Sequence, residues 1–278
     1  MTRKIEQLKQ KAKYLRQQVL EMCVRAGTGH VTSSFSCVEI LTTLYYGGIL
    51  RFNPKDPKWK ERDRFILSKG HASPILYVIL ADLGFFPKKY LEKFNQADGK
   101  FSVHLQHDVP GVEITSGSLG HGFGVAAGMA LAAKLNRELY TVFVLLGDGE
   151  CYEGSIWETA MFASHNRLNN LIAIVDRNYL SVIDFTENAL ALEPFEEKWK
   201  SFGWRTISID GHSFEEIFGA LKGFRSRRST QPLVIIANTV KGKGVEFMSD
   251  VPLWHSLAPQ GQDAFEAQKE LENENDAE

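Results

Sequence analysis

Two short apolar runs, separated by a helix-like segment, constrain the fold of this chain more than any other feature. Tyr140–Leu146 is rich in β-branched and aromatic residues and is short enough for a buried strand, and Leu171–Val175 has the same character. Between them, apolar residues recur at helical spacing from Ile156 to Leu168. The pattern predicts a β-α-β unit, whose parallel strands open on one sheet edge, where α/β proteins bind ligands.

The residues that follow the two runs indicate the chemistry of that edge. Asp148 lies between Gly147 and Gly149 at the end of the first run, and Asn178 follows the second. One carboxylate and one amide are too few ligands for a protein-only metal cage, but they suit Mg²⁺ completed by phosphate oxygens. A simple turn with a helix-capping Asp is the alternative. The Asn after the next strand favours the metal-diphosphate site.

These residues carry a family resemblance. GDG is followed by 28 residues and then Asn, a spacing that resembles the thiamine diphosphate motif. The segment GDGECYEGSIWETAMFASHNRLNNLIAIVDRN is similar to the corresponding segment of transketolases. The similarity runs from about residue 10 to about residue 260, and a full-length transketolase continues into two further domains. The chain thus resembles the N-terminal subunit of a split, two-chain transketolase.

We expect one α/β domain over residues 1–262, with a doubly wound, mainly parallel sheet and helices on both faces. The resemblance implies the diphosphate-binding domain of the thiamine diphosphate-binding fold. An amphipathic helix is predicted from Ile5 to Met22, ending near Ala26. Residues 263–278 are expected to form an acidic, solvated C-terminal tail.

Composition excludes some classes of partner. A formal charge of −2 and a pI near 6.5 give no electrostatic reason to expect nucleic acid or anionic membrane as a partner. The N-terminus lacks the apolar segment of a signal peptide, and no run is long enough to span a membrane. Three scattered cysteines, Cys23, Cys37 and Cys151, are expected to be free thiols in a reducing cytoplasm.

The resemblance implies a ligand set for thiamine diphosphate and Mg²⁺, with Ca²⁺ or Mn²⁺ as alternative ions. Asp148, Asn178 and the carbonyl of Leu180 would hold the metal. The matching motifs are GTGHVTSS, DRFILSKGHA, TSGSLGHG and VKGKG with a later WH. The cofactor contacts that they imply are Ser33, His71, Gly117, Leu119, Gly149, Asn178, Lys241 and His255. As a dinucleotide signal the glycine loop is weak, because no clear strand precedes it.

Histidines are the implied catalytic residues, since their pKa lies near neutrality. A single loop His is usually structural, but His30 and His255 match the family residues that face the reacting carbons. A further family His contacts the hydroxyls of the donor sugar. Distance from Gly117 favours His104 for this position, and the acidic residue that follows His107 favours the latter, so both remain candidates.

The resemblance also implies the reaction and a partner. A two-carbon ketol unit would pass from a ketose, expected to be phosphorylated, to an aldose. In the family, the Glu that protonates the cofactor and the arginines that bind sugar phosphate lie in the next domain. A separate C-terminal subunit is therefore expected, in an α₂β₂ assembly with Glu153 at an interface. The rival hypotheses are a ketolase or acyloin-forming enzyme for modified sugars or secondary metabolites, and a non-catalytic cofactor-binding chain.

Overall fold

The computed structural model describes residues 2–226 and 229–273. Its centre is a sheet of five parallel strands in the order β1-β2-β3-β5-β4. The strands are β1 Arg64–Leu67, β2 Val142–Gly147, β3 Leu171–Arg177, β4 Arg205–Asp210 and β5 Leu233–Asn238. The expected parallel sheet is confirmed, and the two apolar runs of the β-α-β unit are its neighbouring strands β2 and β3.

The helices cover both faces of this sheet. They are α1 Thr2–Ala26, α2 Val31–Phe35, α3 Val38–Tyr46, α4 Ser73–Asp82, α5 His121–Leu135, α6 Gly154–His165, α7 Thr186–Ala189, α8 Phe195–Ser201, α9 Phe214–Ala220 and α10 Gln262–Asn273. No helix within the described ranges has both the length and the apolar character needed to cross a membrane.

Side-chain alternation along the strands creates two hydrophobic cores. On β2, Phe143 and Leu145 join the core that α1, α3, α4 and α9 cover. Val144 and Leu146 point into the opposite core, with residues of α5, α6 and α8. Because both faces are covered, β2 and β3 are buried along their whole length, which explains the apolar run in each strand. The fold class predicted from the sequence is confirmed.

Two local expectations need correction. The loop expected around His30 ends at that residue, because the next five residues form the short, buried helix α2. The expected solvated tail is largely wrong for its described part, because Gln262–Asn273 is helical and packs against α1. Ala267 and Leu271, one helical turn apart, are buried in the core that α1 shares. Residues 274–278 lie outside the described ranges, and the domain limit at 262 stays a prediction.

Candidate active site

The C-terminal ends of β2 and β3 bring Asp148 and Asn178 to the same sheet edge. Gly147 pairs with Asp176 in the parallel register, so the next residues of both strands emerge side by side. Both side chains are buried, at 2% exposure for Asp148 and 5% for Asn178. Asp148 and Asn178 therefore lie at the same sheet edge, as the sequence predicted.

Asp148 is a buried carboxylate whose negative charge is only partly balanced by nearby cations. Its Oδ1 accepts a hydrogen bond from the Gly149 amide at 2.7 Å, and its Oδ2 accepts one from the Tyr179 amide at 2.6 Å. The Arg177 guanidinium lies 3.4 Å from Oδ2. Burial and then the nearby Asp176 charge raise the pKa of Asp148 to about 6, in spite of Arg177. A bound cation would stabilise this carboxylate.

Lys241 connects the end of β3 to the C-terminal histidine. Its ammonium donates hydrogen bonds to the carbonyls of Leu180 and Ser181, both at 3.2 Å, and to His255 Nδ1 at 2.8 Å. Burial and then the charge of Lys69 lower its pKa to about 8. Two buried ammonium groups thus act on the same small region. Such a region favours an anionic ligand.

Four imidazoles gather beside this edge. Ring centroids lie 5.4 Å apart for His30 and His71, 5.3 Å for His30 and His255, 5.4 Å for His71 and His255, and 6.2 Å for His30 and His104. Burial lowers the pKa of His30 to about 4 and that of His255 to about 3, with further lowering from neighbouring positive groups. Burial also holds the pKa of His71 well below its ordinary value. These three rings are neutral at physiological pH.

His107 does not belong to this histidine cluster. Its Nδ1 lies 3.0 Å from Thr115 Oγ1, and its ring is exposed on the loop before the glycine-rich segment. His104 instead faces His30, and a Cβ on Gly117 would lie 3.3 Å from the His104 ring. Of the two candidates that the sequence left open, the structure brings only His104 to the site.

The glycine-rich loop closes another side of the site. Gly117 has a φ of +148°, in the region that favours glycine. A Cβ on Gly70 would lie 2.9 Å from the Gly117 amide nitrogen, so the loop packs tightly on the exit of β1. Leu119 is half-buried just beyond it. The predicted contact residues of β1, the glycine loop and β2 therefore surround one space.

Three buried polar atoms in these segments lack a protein partner: His30 Nδ1, Ser33 Oγ and Ser116 Oγ. Because buried polar atoms normally find partners, these atoms point to a polar ligand. No group of three His, Cys, Asp or Glu side chains within the described residues is arranged to hold a metal ion. A metal at Asp148 and Asn178 would thus take oxygens from the ligand, as Mg²⁺ does with phosphates.

Sequence reasoning missed two buried groups that hold the site together. Lys69, the second residue after β1, makes an ion pair with Asp176. Asp176 also accepts from Ser36 Oγ at 2.6 Å and from the Thr239 hydroxyl. Glu150 accepts hydrogen bonds from the Ser68 hydroxyl and from the amides of Gly120 at 2.8 Å and Gly147 at 3.0 Å. The available signal was a charged residue shortly after the end of each of two buried strands.

The neutral histidines are expected to make the chain less stable at acidic pH. His30 has an ordinary pKa of about 6.5 when unfolded and about 4 when folded. Between these values the unfolded chain binds more protons, so stability is complete above the unfolded pKa and falls toward pH 4, by about 3 kcal/mol.

Urea unfolding at pH 7 and pH 4.5 measures this loss. His30→Asn should lose less stability than wild type on acidification, whereas His165→Asn, a change at an exposed histidine, should match wild type. Equal pH dependence in wild type and His30→Asn would contradict the prediction.

The sheet edge with Asp148 and Asn178, the two buried lysines and the histidines together define a candidate binding domain for an anionic cofactor held through a metal ion. The family model for the transketolase thiamine diphosphate-binding domain matches residues 7–274. A 6-deoxy-6-sulfo-D-fructose transketolase subunit of Clostridium sp. is 41% identical over 90% of this chain and 90% of its own length. An apulose-4-phosphate transketolase subunit of Phocaeicola vulgatus is 38% identical over 96% of this chain and 94% of its own length.

Solved structures show the same similarity. Transketolase from Campylobacter jejuni superposes with a TM-score of 0.88 at 32% identity, over 95% of this chain. The match spans 42% of that protein, so the chain covers about two fifths of the solved transketolases' length. The chain belongs to the transketolase family, whose members are thiamine diphosphate-dependent transferases. The resemblance to the N-terminal subunit of a split transketolase is confirmed.

Proposed function

We propose that this chain binds thiamine diphosphate with Mg²⁺ and forms the cofactor-binding half of a two-chain transketolase. The observation that carries the proposal is that neutral histidines, two buried lysines and the Asp148–Asn178 edge surround one space. The proposed reaction is the transfer of a two-carbon ketol unit from a phosphorylated ketose to an aldose. The proposed location is the cytoplasm.

The residues at the strand ends would bind the cofactor. Asp148, Asn178 and the Leu180 carbonyl would ligate Mg²⁺, and Lys241, which donates to that carbonyl here, would turn toward the diphosphate. His71 would contact the same diphosphate. Further contacts would come from Ser33, Gly117, Leu119, Gly149 and His255. Ser33 Oγ supports this assignment, because it is buried and lacks a protein partner.

The histidine cluster would handle protons. When bound, the thiazolium of the cofactor supplies an electron sink for cleavage of the bond next to a ketose carbonyl. His30 and His255 would take the proton from the donor's C3 hydroxyl and return a proton to the acceptor. Both imidazoles are neutral here, and the turn of Lys241 toward the diphosphate would free His255 Nδ1 to accept a proton.

His104 is proposed to hold the donor's hydroxyl groups. His104→Asn should raise the KM for the donor about tenfold, because a hydrogen bond to substrate is lost. His107→Asn is the matched control and should change the KM less than about twofold. Steady-state kinetics of the assembled enzyme checks this, and the reverse order of effects would assign the role to His107 instead.

A second polypeptide would complete the site, and the assembly would be an α₂β₂ heterotetramer. The segment that follows Asn178 exposes large apolar side chains: Tyr179, Val182, Ile183, Phe185 and Leu190. Several large apolar side chains exposed within one short segment are typical of a protein interface. Relatives whose names describe one subunit of a transketolase support the existence of a partner. Glu153, exposed at the start of α6, is proposed to lie at a further interface.

Reconstitution tests the proposed function. The chain would be co-expressed with a chain that resembles the remaining transketolase domains, and two-carbon transfer from ketose phosphates would be assayed with Mg²⁺ and thiamine diphosphate. Activity is expected only when both chains and the cofactor are present. Activity of this chain alone, or calorimetry showing no cofactor binding by the pair, would contradict the proposal.

A modified sugar is the second candidate for the donor. Two similar proteins carry names that refer to unusual sugars, apulose 4-phosphate and 6-deoxy-6-sulfo-D-fructose. A donor panel with ordinary ketose phosphates and these two compounds separates the candidates. The donor with the highest kcat/KM identifies the specificity.

A further inference from the structure

His212 lies in the turn between β4 and α9, and both of its ring nitrogens are hydrogen-bonded. Nε2 accepts a hydrogen bond from the Val240 amide at 2.9 Å. Nδ1 lies 2.9 Å from Glu39 Oε2, and Glu39 is paired with the buried guanidinium of Arg16.

The partners fix the tautomer of the ring. A backbone amide can only donate, so Nε2 carries no proton and the proton is on Nδ1. Although burial opposes ionisation of Glu39, Arg16 and then the hydrogen bond from His212 lower its pKa to about 2. The carboxylate is therefore available to accept the Nδ1 proton. Arg16 and Glu39 thus orient a ring whose other nitrogen holds a backbone amide.

The amide that His212 holds lies between two residues of the site. Val240 follows Thr239, whose hydroxyl donates to Asp176, and precedes Lys241, which donates to the Leu180 carbonyl and to His255. The next fixed points along the chain are the Gly242 amide, which donates to the Thr32 carbonyl, and the Lys241 carbonyl, which accepts from the Asp250 amide. His212 therefore holds the backbone just after β5, between the site residues Thr239 and Lys241.

We propose that His212 is a positioning residue, which acts through the Val240 amide to aim Lys241 at its site partners. It touches neither cofactor nor substrate. The geometric part of the inference stands on the chain alone, and the consequence for cofactor binding rests on the proposed function. Loss of the Nε2 acceptor should therefore loosen residues 240–241 before it affects the rest of the sheet.

Two substitutions of His212 test whether the hydrogen bond to the Val240 amide matters, or only the space that the side chain fills. The amide oxygen of Gln extends about as far as Nε2, so His212→Gln can still accept from Val240. The shorter side chain in His212→Asn can reach Glu39 but not Val240. Ser213→Ala is the matched control in the same turn, because it removes only the hydroxyl that caps α9 through the Glu216 amide.

Amide hydrogen exchange of the full chain, read by NMR, tests the geometry. In His212→Asn, exchange of the Val240 amide should accelerate about tenfold, the scale of a lost buried hydrogen bond, while Ile235 in β5 stays protected. His212→Gln should exchange within about threefold of wild type, and Ser213→Ala should leave the ratio of Val240 to Ile235 exchange unchanged. Wild-type exchange at Val240 in His212→Asn, or equal acceleration throughout β5, would overturn the inference.

Calorimetry with Mg²⁺ and thiamine diphosphate on the two-chain assembly tests the consequence. His212→Asn should weaken cofactor binding about tenfold, and Gln should restore most of it. If His212→Asn loosens Val240 but binds the cofactor as wild type does, the positioning role is wrong. If the wild-type assembly binds no cofactor, the proposed function fails, and the exchange result still decides the geometric part.

Discussion

Asp148→Asn is expected to abolish two-carbon transfer by the assembled enzyme while leaving the metal-free chain folded. We expect a loss of activity on the order of 10³-fold, because a metal ligand contributes several kcal/mol to cofactor positioning and charge stabilisation. Mg²⁺ with thiamine diphosphate should raise the melting temperature of the wild-type assembly and fail to raise that of the variant.

The stability of metal-free Asp148→Asn shows whether Asp148 serves as a metal ligand or mainly stabilises the fold. Burial and Asp176 raise the pKa of Asp148 to about 6. The unfolded pKa is about 3.9, so this carboxylate makes the metal-free chain less stable as the pH rises from about 4 to above 6. Asn removes that buried charge but gives up one of the two amide hydrogen bonds. These effects oppose each other, so the melting temperature at pH 7 should change by less than about 3 °C.

Differential scanning calorimetry with and without Mg²⁺ and thiamine diphosphate measures both quantities. Asp98→Asn is the control, since this acid is exposed and pairs with Lys93 on the surface. It should retain activity and the ligand-induced rise in melting temperature. Unfolding of Asp148→Asn without metal, or retained Mg²⁺-dependent binding, would show that Asp148 is a structural residue.

The sequence predicted the strand ends well because strand burial leaves a strong local signal. β2 and β3 are buried on both faces, so each contains a continuous apolar run, although β3 continues through the buried Asp176 and Arg177 before the sheet edge. Asp148 and Asn178 follow directly. The choice between His104 and His107 depends on the path of an irregular loop, for which local sequence gives no comparable signal.

The C-terminal helix shows why the amphipathic signal failed there. In α10, most residues are polar or charged, and the buried apolar part of the contact with α1 comes from Ala267 and Leu271. Two small or aliphatic residues four positions apart are too few to distinguish a docked helix from a solvated acidic segment. Only the position of α1 reveals that this face is covered.

Lys69 was missed for a related reason. A lysine after a short strand normally extends into solvent, and nothing local indicates that it is covered. Burial arises when α2 packs over the exit of β1, where the Lys69 ammonium donates to the Ser33 carbonyl at 3.0 Å. The ion pair with Asp176 joins residues 107 positions apart in the sequence. Pairs between residues so far apart in the sequence leave no periodic pattern from which they could be predicted.

Lys69→Met is expected to cause the largest loss of stability among single changes at this site. Lys69 is 1% exposed and Asp176 is fully buried, so removing the cation leaves an unpaired carboxylate in the core. Burial opposes ionisation of Asp176, and Lys69 is the principal group that nevertheless keeps its pKa low. Breaking such a pair costs about 3–5 kcal/mol, a large part of a typical unfolding free energy.

The double variant Lys69→Met with Asp176→Asn tests whether the loss comes from the stranded charge. Asn can still accept from Ser36 or Thr239, so the double variant should recover most of the unfolding free energy measured in urea. Lys200→Met removes an exposed cation beside Glu197 and should cost less than about 0.5 kcal/mol. If the double variant is no more stable than Lys69→Met, packing of the lysine stem accounts for the loss, and the buried charge pair does not hold α2, β1 and β3 together.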